Sequence, residues 1–128
     1  NLYFSEFSDR MYCAPFVDGQ YATPIILTEY FHNPTLVGRN PFISPAGDYL
    51  LFTAGRNLSV SFKKSDGTWT DAVSLGDTIN GSHENGSPRV TADGKYLFFL
   101  SAGKGRAWGI YWVSADIVWR LRQTHLNN

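Results

Sequence analysis

The chain has very little cysteine and no long apolar segment. Cys13 is the only cysteine in 128 residues, so an intrachain disulfide cannot form and cysteine content does not indicate the compartment. No apolar run approaches the roughly 20 residues that an α-helix needs to cross a bilayer. The sequence therefore predicts no membrane-spanning helix.

An excess of charge of either sign is also missing, because 11 Lys and Arg residues balance 11 Asp and Glu residues. Proteins that bind the phosphate backbone of nucleic acids usually carry a basic excess on one face. We therefore expect no nucleic-acid partner, and the same balance argues against a polybasic tether to a membrane surface.

The common catalytic and metal-binding motifs are missing as well. His83 and Glu84 begin like a zinc-protease motif, but the second histidine of that motif does not follow. His32, His83 and His125 are far apart in the sequence and lack metal-ligand spacing. No Gly-x-Ser-x-Gly nucleophile motif is present, and no two carboxylates form an obvious acid and base pair. The sequence predicts no catalytic residue, metal or cofactor.

What the sequence does contain is a repeat with a period in the high forties. An offset of 47 aligns residues 41–54, PFISPAGDYLLFTA, with residues 88–101, PRVTADGKYLFFLS, and the second segment continues to Ala102. An offset of 48 aligns residues 1–27 with residues 49–75 without a gap. Repeats of this length with strand-like content are typical of propeller blades and similar arrays.

We therefore predict one all-β domain over residues 1–128 that consists of antiparallel repeats. The repeat at 1–40 is partial and lacks its first strand, and the repeat at 41–87 is complete. In the repeat at 88–128 the last strand is replaced by a short helix, about Ala115 to Gln123, for which Ser114 is the expected N-cap. Trp112 and Trp119 are expected to pack in the core beside this helix.

Within each repeat, the sequence pattern predicts individual turns and strands. Asp18-Gly19 and Asp66-Gly67 are predicted to be two-residue hairpin turns, in which both positions take positive φ. Pro24 cannot donate to a β-ladder, so its strand is expected at an outer edge. The segments 49–52 and 96–99 are apolar at consecutive positions, which is typical of strands covered on both faces.

The segments ISPAGDYLLFTA and VTADGKYLFFLS resemble the core repeat of WD-like β-propellers of the TolB type. Residues 59–80 and 110–121 resemble the closing blades of exported propeller proteins. This resemblance implies about two and a half four-stranded antiparallel β-propeller blades with a short C-terminal helix, in a periplasmic or extracellular protein. Because propellers have 4–8 blades, a longer chain or self-assembly would have to supply the others.

The resemblance also implies where a ligand would bind. In propellers, the loop that leads into the innermost strand of each blade lies at the mouth of the central channel. The repeat alignment puts Arg39-Asn40 and the loop at residues 84–87 in equivalent places there, with His83 and Arg89 beside them. Trp108, in a glycine-rich insertion, is a candidate for a separate aromatic surface. These polar residues could instead be solvated loop residues with capping roles. The candidate ligand-binding residues are Arg39, Asn40, His83, Glu84, Asn85, Arg89 and Trp108.

Three functions stay open at this point. The first is a non-enzymatic binding or scaffold module of a cell envelope, which docks a protein or peptide at the channel mouth. The second is a carbohydrate-binding or carbohydrate-processing propeller, in which Trp108 and the loop at His83-Glu84 contact sugar. The third is a structural propeller appended to an enzyme domain.

Overall fold

A computed structural model describes residues 1–81, 84–103 and 107–126. Within these residues the chain is mostly β, its strands form antiparallel sheets, and a short helix lies at the C-terminal end. The prediction of a β-rich, antiparallel chain with a C-terminal helix is therefore confirmed.

The N-terminal part of the chain contains short strands and a one-turn helix. They are β1 (Leu2–Ser5), β2 (Met11–Ala14), β3 (Phe16–Val17), β4 (Gln20–Tyr21), β5 (Ile25–Ile26) and α1 (Leu27–Tyr30). The first sheet has the order β1-β2-β5, whereas β3 and β4 pair only with each other. The strand that follows Pro24 lies at an edge as predicted, but it is shorter than expected because Gln20 and Tyr21 belong to the separate hairpin.

Two larger sheets and a helix follow. The middle sheet contains β6 (Arg39–Ile43), β7 (Tyr49–Ala54), β8 (Asn57–Phe62) and β9 (Val73–Ser74), in that order. The third sheet contains β10 (Glu84–Val90), β11 (Tyr96–Ala102) and β12 (Gly109–Ser114), also in that order, and α2 (Asp116–Leu126) follows it.

The two predicted hairpin turns differ from each other. Asp18 and Gly19 have φ of 51° and 80°, so this two-residue turn is confirmed. At the second turn Gly67 has φ of 86°, but Asp66 does not have positive φ. The backbone N–H of Lys64 donates to the carbonyl of Thr68, which makes a three-residue loop, and Thr68 donates to the Asp66 carboxylate. The two-residue prediction is wrong there, because these bonds hold Asp66 outside the left-handed region.

The turns before β7 and β11 are held by side-chain hydrogen bonds. In the third sheet, the Asp93 carboxylate accepts from the Thr91 hydroxyl at 2.6 Å and from the backbone N–H of Lys95 at 3.1 Å. The middle sheet has Ala46 where that aspartate would be. Its turn is held instead by Ser44, whose hydroxyl oxygen accepts from the backbone N–H of Asp48 at 2.9 Å.

The middle sheet is covered on both faces, and this explains the continuous apolar run of β7. Leu50 and Phe52 pack with Met11 and Cys13 of the first sheet. Leu51, which points the other way, belongs to a second core with Leu97 and Phe99 of the third sheet. Leu50, Leu51 and Phe52 are completely buried, as the sequence predicted for β7.

The third sheet is covered on one face only. Leu97 and Phe99 are buried, but Tyr96, Phe98 and Leu100 alternate with them and are exposed. The prediction that both faces of β11 are covered is therefore wrong for the described chain. The run of apolar residues does not reveal this, because exposure depends on what packs against the sheet.

Helix α2 packs against the core between the middle and third sheets. Val118 is buried, and Ile117 and Leu121 pack beside it. Ser114 accepts a hydrogen bond from the backbone N–H of Asp116 at 3.2 Å, in line with its predicted capping role. Trp119, on the far side of the helix, and Trp112, on the open face of the third sheet, are both 60% exposed. Their predicted core positions are therefore wrong.

Candidate functional site

A cleft of about 550 Å³ lies where β6, β7 and β10 meet. It brings together residues that are far apart in the sequence. Of the seven candidate residues, five line it: Arg39, Asn40, Glu84, Asn85 and Trp108.

Two β-bulges shape the cleft from opposite sides. The β6–β7 register shifts between Arg39 and Phe42, and the β10–β11 register shifts between Gly86 and Arg89. Inside these bulges Asn40 and Ser87 take φ of 54° and 49°.

The sequence offset of 47 aligns these two residues with each other, and each precedes a proline. A bulge bends its strand and redirects the nearby side chains, and bulges are common beside functional sites. β6 and β10 therefore present their first residues to the same cleft.

The rim of the cleft carries both signs of charge. Arg56 pairs with Glu84 at 3.2 Å, and both side chains are largely exposed. Arg39 lies 3.8 Å from the Asp9 carboxylate and donates to the carbonyl of Gly55 at 3.4 Å. Exposed pairs of this kind contribute about 1 kcal/mol or less, so a ligand can compete for these groups at small cost.

The floor of the cleft contains a buried hydroxyl group. Thr53 is almost fully buried, and its Oγ1 has no hydrogen-bond partner among the described residues. Gly86 leaves open space beside it, since an added Cβ would lie 3.7 Å from Thr53 Oγ1 and 3.7 Å from Asn40 Nδ2. A buried polar group without a partner costs about 1–3 kcal/mol, which a ligand that binds to it would offset.

Asn85 connects the floor to the structure behind it. Its side-chain amide donates to the carbonyl of Asn80 at 3.2 Å, and its backbone N–H donates to the carbonyl of Arg56 at 3.0 Å. The Asn80 side chain in turn accepts from the backbone N–H of Leu58 at 2.8 Å. This network fixes the start of β10 against the β7–β8 turn.

The other two candidate residues are not in the cleft lining. Arg89 donates to the carbonyls of Pro88, at 2.8 Å, and Pro41, at 3.4 Å, and its guanidinium lies 5.7 Å from the centre of the Phe42 ring. It therefore joins β6 and β10 outside the cleft lining. His83 lies outside the described residues.

The cleft residues that the sequence analysis did not identify include Thr53, Arg56 and Leu100. Thr53 pairs directly with Arg39 in the β6–β7 ladder. The strand register would have been needed to find it, because antiparallel pairing places the end of β7 beside the start of β6.

The chemical groups of the cleft are suited to binding. They comprise guanidinium, carboxylate, amide and hydroxyl groups, together with the apolar surfaces of Leu100 and Trp108. In residues 1–81, 84–103 and 107–126, no group of three His, Cys, Asp or Glu side chains could hold a metal ion.

The most strongly perturbed titratable groups lie in the core between the first and middle sheets. Burial, followed by the nearby Cys13, raises the pKa of Tyr3 to about 12. Burial also raises the pKa of the Cys13 thiol. Neither residue lines the cleft.

Comparisons of the chain with protein-family models, with curated proteins and with solved structures found no match. None of the described helices is both long enough and apolar enough to cross a membrane.

Proposed function

We propose that the chain is part of a β-propeller and acts as a non-enzymatic binding module, with the first, middle and third sheets as successive blades. The stacked antiparallel sheets and the equivalent bulges on β6 and β10 support this assignment. The proposed location, in the cell envelope or outside the cell, rests on the sequence resemblance alone.

The observation that carries the binding proposal is the convergence of the candidate residues on one cleft. Arg39-Asn40 and Glu84-Asn85 were selected because a repeat offset aligned their loops, and both pairs line the same cavity. Its volume of about 550 Å³ lies within the 300–1,000 Å³ usual for ligand sites. A cleft of this size can hold a few side chains of a peptide.

A peptide fits the chemistry of the lining better than a ligand with one kind of group. Arg39 and Arg56 can bind a carboxylate, and Glu84 can bind a cationic side chain. The Asn40 amide and the Thr53 hydroxyl can bond to backbone amides. Leu100 and Trp108 supply the apolar contacts. The bound partner is therefore proposed to be a peptide or a protein loop that carries both charged and apolar residues.

A carbohydrate ligand is the second candidate, and Trp108 is the observation that favours it. Its ring is 53% exposed at the edge of a cleft that is otherwise rich in polar groups. An exposed indole face beside amide and carboxylate groups can stack on the apolar face of a sugar.

A selection from a phage-displayed library of random 12-residue peptides on the immobilised chain tests the peptide proposal. The affinity of a selected peptide is then measured for the wild type, for Glu84→Gln and for Glu29→Gln. Glu29 is an exposed carboxylate of α1 and does not line the cleft, so it is the matched control. We expect about a 10-fold loss for Glu84→Gln, which corresponds to about 1.4 kcal/mol, and no change for the control.

Equal affinity of all three proteins for the peptide would place the peptide outside the cleft and contradict the proposal. A glycan array separates the second candidate from the first. Binding of a glycan that is lost in Trp108→Ala, together with no peptide enrichment, would favour the carbohydrate function.

A further inference from the structure

The exposed large apolar side chains of the described chain are concentrated at its two ends. The first sheet and its hairpin contribute Leu2, Phe16, Val17, Tyr21 and Ile25, and the third sheet contributes Tyr96, Phe98, Leu100, Ile110, Tyr111 and Trp112. The described strands of the middle sheet contribute none. Monomeric proteins rarely expose large contiguous apolar patches, and such patches usually mark interaction sites.

One exposed surface, which we call the end face, consists of Tyr96, Phe98, Ile110 and Trp112 on the outer side of the third sheet. Phe98 pairs with Trp112 across the β11–β12 ladder, and the rings of Tyr96 and Trp112 are in edge-to-face contact at 5.3 Å. The side chains of this ladder that point the other way, such as Leu97 and Phe99, belong to the core.

The middle sheet shows what covers an equivalent face. The sequence offset of 47 aligns Phe98 with Leu51, and Leu51 is buried against Leu97 and Phe99 of the third sheet. The same offset aligns Leu97 with Leu50 and Phe99 with Phe52. Leu50 and Phe52 are buried against the first sheet. The side of the middle sheet that carries Leu50 therefore packs toward the first sheet. The side of the third sheet that carries Leu97 packs toward the middle sheet in the same way.

The first sheet carries a matching surface against which no other described sheet packs. An offset of 48 aligns Leu2 with Leu50 and Phe4 with Phe52. Leu2 is 47% exposed, whereas Phe4 and Tyr12, whose rings stack on each other at 5.5 Å, are half-buried. We call Leu2, Phe4 and Tyr12 the front face. At both junctions inside the chain, the surface equivalent to the front face packs against the preceding sheet.

We propose that the end face of one copy packs against the front face of a second copy. The contact would continue the face-to-face stacking that joins the first sheet to the middle sheet and the middle sheet to the third. Two copies would contribute six stacked sheets, within the 4–8 blades that close a propeller. Each copy would supply one end face and one front face, so two identical junctions would close the ring and leave no apolar face open.

The test is the solution mass of the chain, measured by light scattering on a sizing column over a range of concentrations. We expect twice the chain mass of 14.4 kDa. Trp112→Glu should give the monomer, because it places a charge in the end face. Trp119→Glu is the matched control, since Trp119 is equally exposed but lies on α2, away from both faces. This control should remain a dimer.

Leu2→Glu provides a second variant on the opposite surface, and circular dichroism checks that each variant is folded. Leu2→Glu should also be monomeric, because head-to-tail packing needs both faces. A mixture of the two monomeric variants should form a weaker dimer through the one junction that remains intact. A monomeric wild type, a polydisperse polymer, or a dimer that persists in either variant would overturn the proposal. These results do not depend on ligand binding at the cleft, which is measured separately with Glu84→Gln.

Discussion

At the residue scale, the floor of the cleft depends on a glycine that has ordinary backbone geometry. Gly86 lies in β10 and does not take positive φ, so the backbone does not require glycine. Its missing side chain leaves space next to Thr53 Oγ1 and Asn40 Nδ2. Gly86 therefore shapes the cleft more than it supports the fold.

Gly86→Ala is expected to reduce ligand binding and to leave stability nearly unchanged. The new methyl group would contact the two floor residues at 3.7 Å, an ordinary van der Waals distance. The reduced freedom of the unfolded chain would favour folding by about 0.4–1 kcal/mol. Urea unfolding measures the effect on stability, and the affinity of a selected peptide measures the effect on binding. Loss of stability together with unchanged affinity would contradict the assigned role.

Gly38→Ala, in contrast, is expected to lower the stability of the fold. A Cβ at this position would lie 2.3 Å from the backbone oxygen of Thr53 and 2.8 Å from Phe52 Cδ2. The neighbouring backbone must move, and overpacking of this kind typically costs about 1–3 kcal/mol. Urea unfolding should show the loss, and a variant as stable as the wild type would show that β6 and β7 are not this close.

Cys13 is expected to be unreactive in the folded protein. The residue is fully buried, and burial raises the pKa of its thiol, so little of the nucleophilic thiolate forms. Alkylation by iodoacetamide, followed by mass spectrometry, should be slow without denaturant and fast in it. Rapid labelling of the folded chain would mean that the first sheet separates readily from the middle sheet.

At the element scale, β7 is the central strand, because it contributes to both cores. Its apolar run was recognisable from the sequence, and the structure explains it by a sheet on each face. The similar run of β11 led to a wrong prediction. Both runs begin with Tyr-Leu and consist of large apolar and aromatic residues, so the difference lies in whether another sheet covers them.

Phe52→Ala is expected to destabilise the chain by about 3–5 kcal/mol, the usual cost of truncating a buried aromatic residue. Phe52 is completely buried between the first and middle sheets. Phe98→Ala, on the exposed end face, is the comparison and should cost much less in the monomer. Equal losses in urea unfolding would be incompatible with a third sheet covered on one face only.

The contact of α2 with the middle sheet predicts a pH dependence. Burial raises the pKa of Asp48, but the Ser44 hydroxyl and the Arg122 guanidinium lower it more, so the pKa lies below its usual value. A carboxyl group with a lowered folded-state pKa stabilises the fold above its unfolded-state pKa of about 3.9. That contribution is lost as the pH falls through the folded-state pKa.

The difference in unfolding free energy between the wild type and Asp48→Asn should therefore be present at pH 7 and shrink below about pH 4. Both partners are partly exposed, so we expect a difference of about 1 kcal/mol or less. Urea unfolding at several pH values measures it. A difference that does not change with pH would show that the charge of Asp48 is not what stabilises the turn.

At the scale of the whole molecule, the stacking of the sheets explains which residues of the cleft could be predicted from the sequence. The repeat offset aligned the loop at Asn40 with the loop at residues 84–87, and both line the cleft because equivalent loops of stacked sheets lie side by side. It did not locate Thr53 or Arg56, which reach the cleft through strand pairing and a turn. The exposed positions of Trp112, on β12, and Trp119, on α2, were also missed, because the sequence does not show which side of a strand or helix faces the core.

The cleft and the end face adjoin at Leu100, which lines the cleft and pairs with Ile110 of the end face, but they depend on different packing. The cleft depends on the junction between β6 and β10 inside one chain, whereas the end face depends on a neighbour. Variants at Glu84 and Trp112 should therefore affect binding and self-association independently. A coupled loss of both properties would mean that the cleft is complete only in the assembled ring.

The central claim is that the cleft formed by the two bulged strands is the binding site. Nuclear magnetic resonance of the ¹⁵N-labelled chain during titration with a selected peptide tests it most directly. We predict that the backbone amides of Thr53, Gly86 and Ser87, the Asn40 side-chain amide and the Trp108 indole shift together, while the amides of Val73 and Ser74 at the outer edge remain unchanged. Shifts confined to Phe98 and Trp112, or spread evenly over all sheets, would contradict the claim.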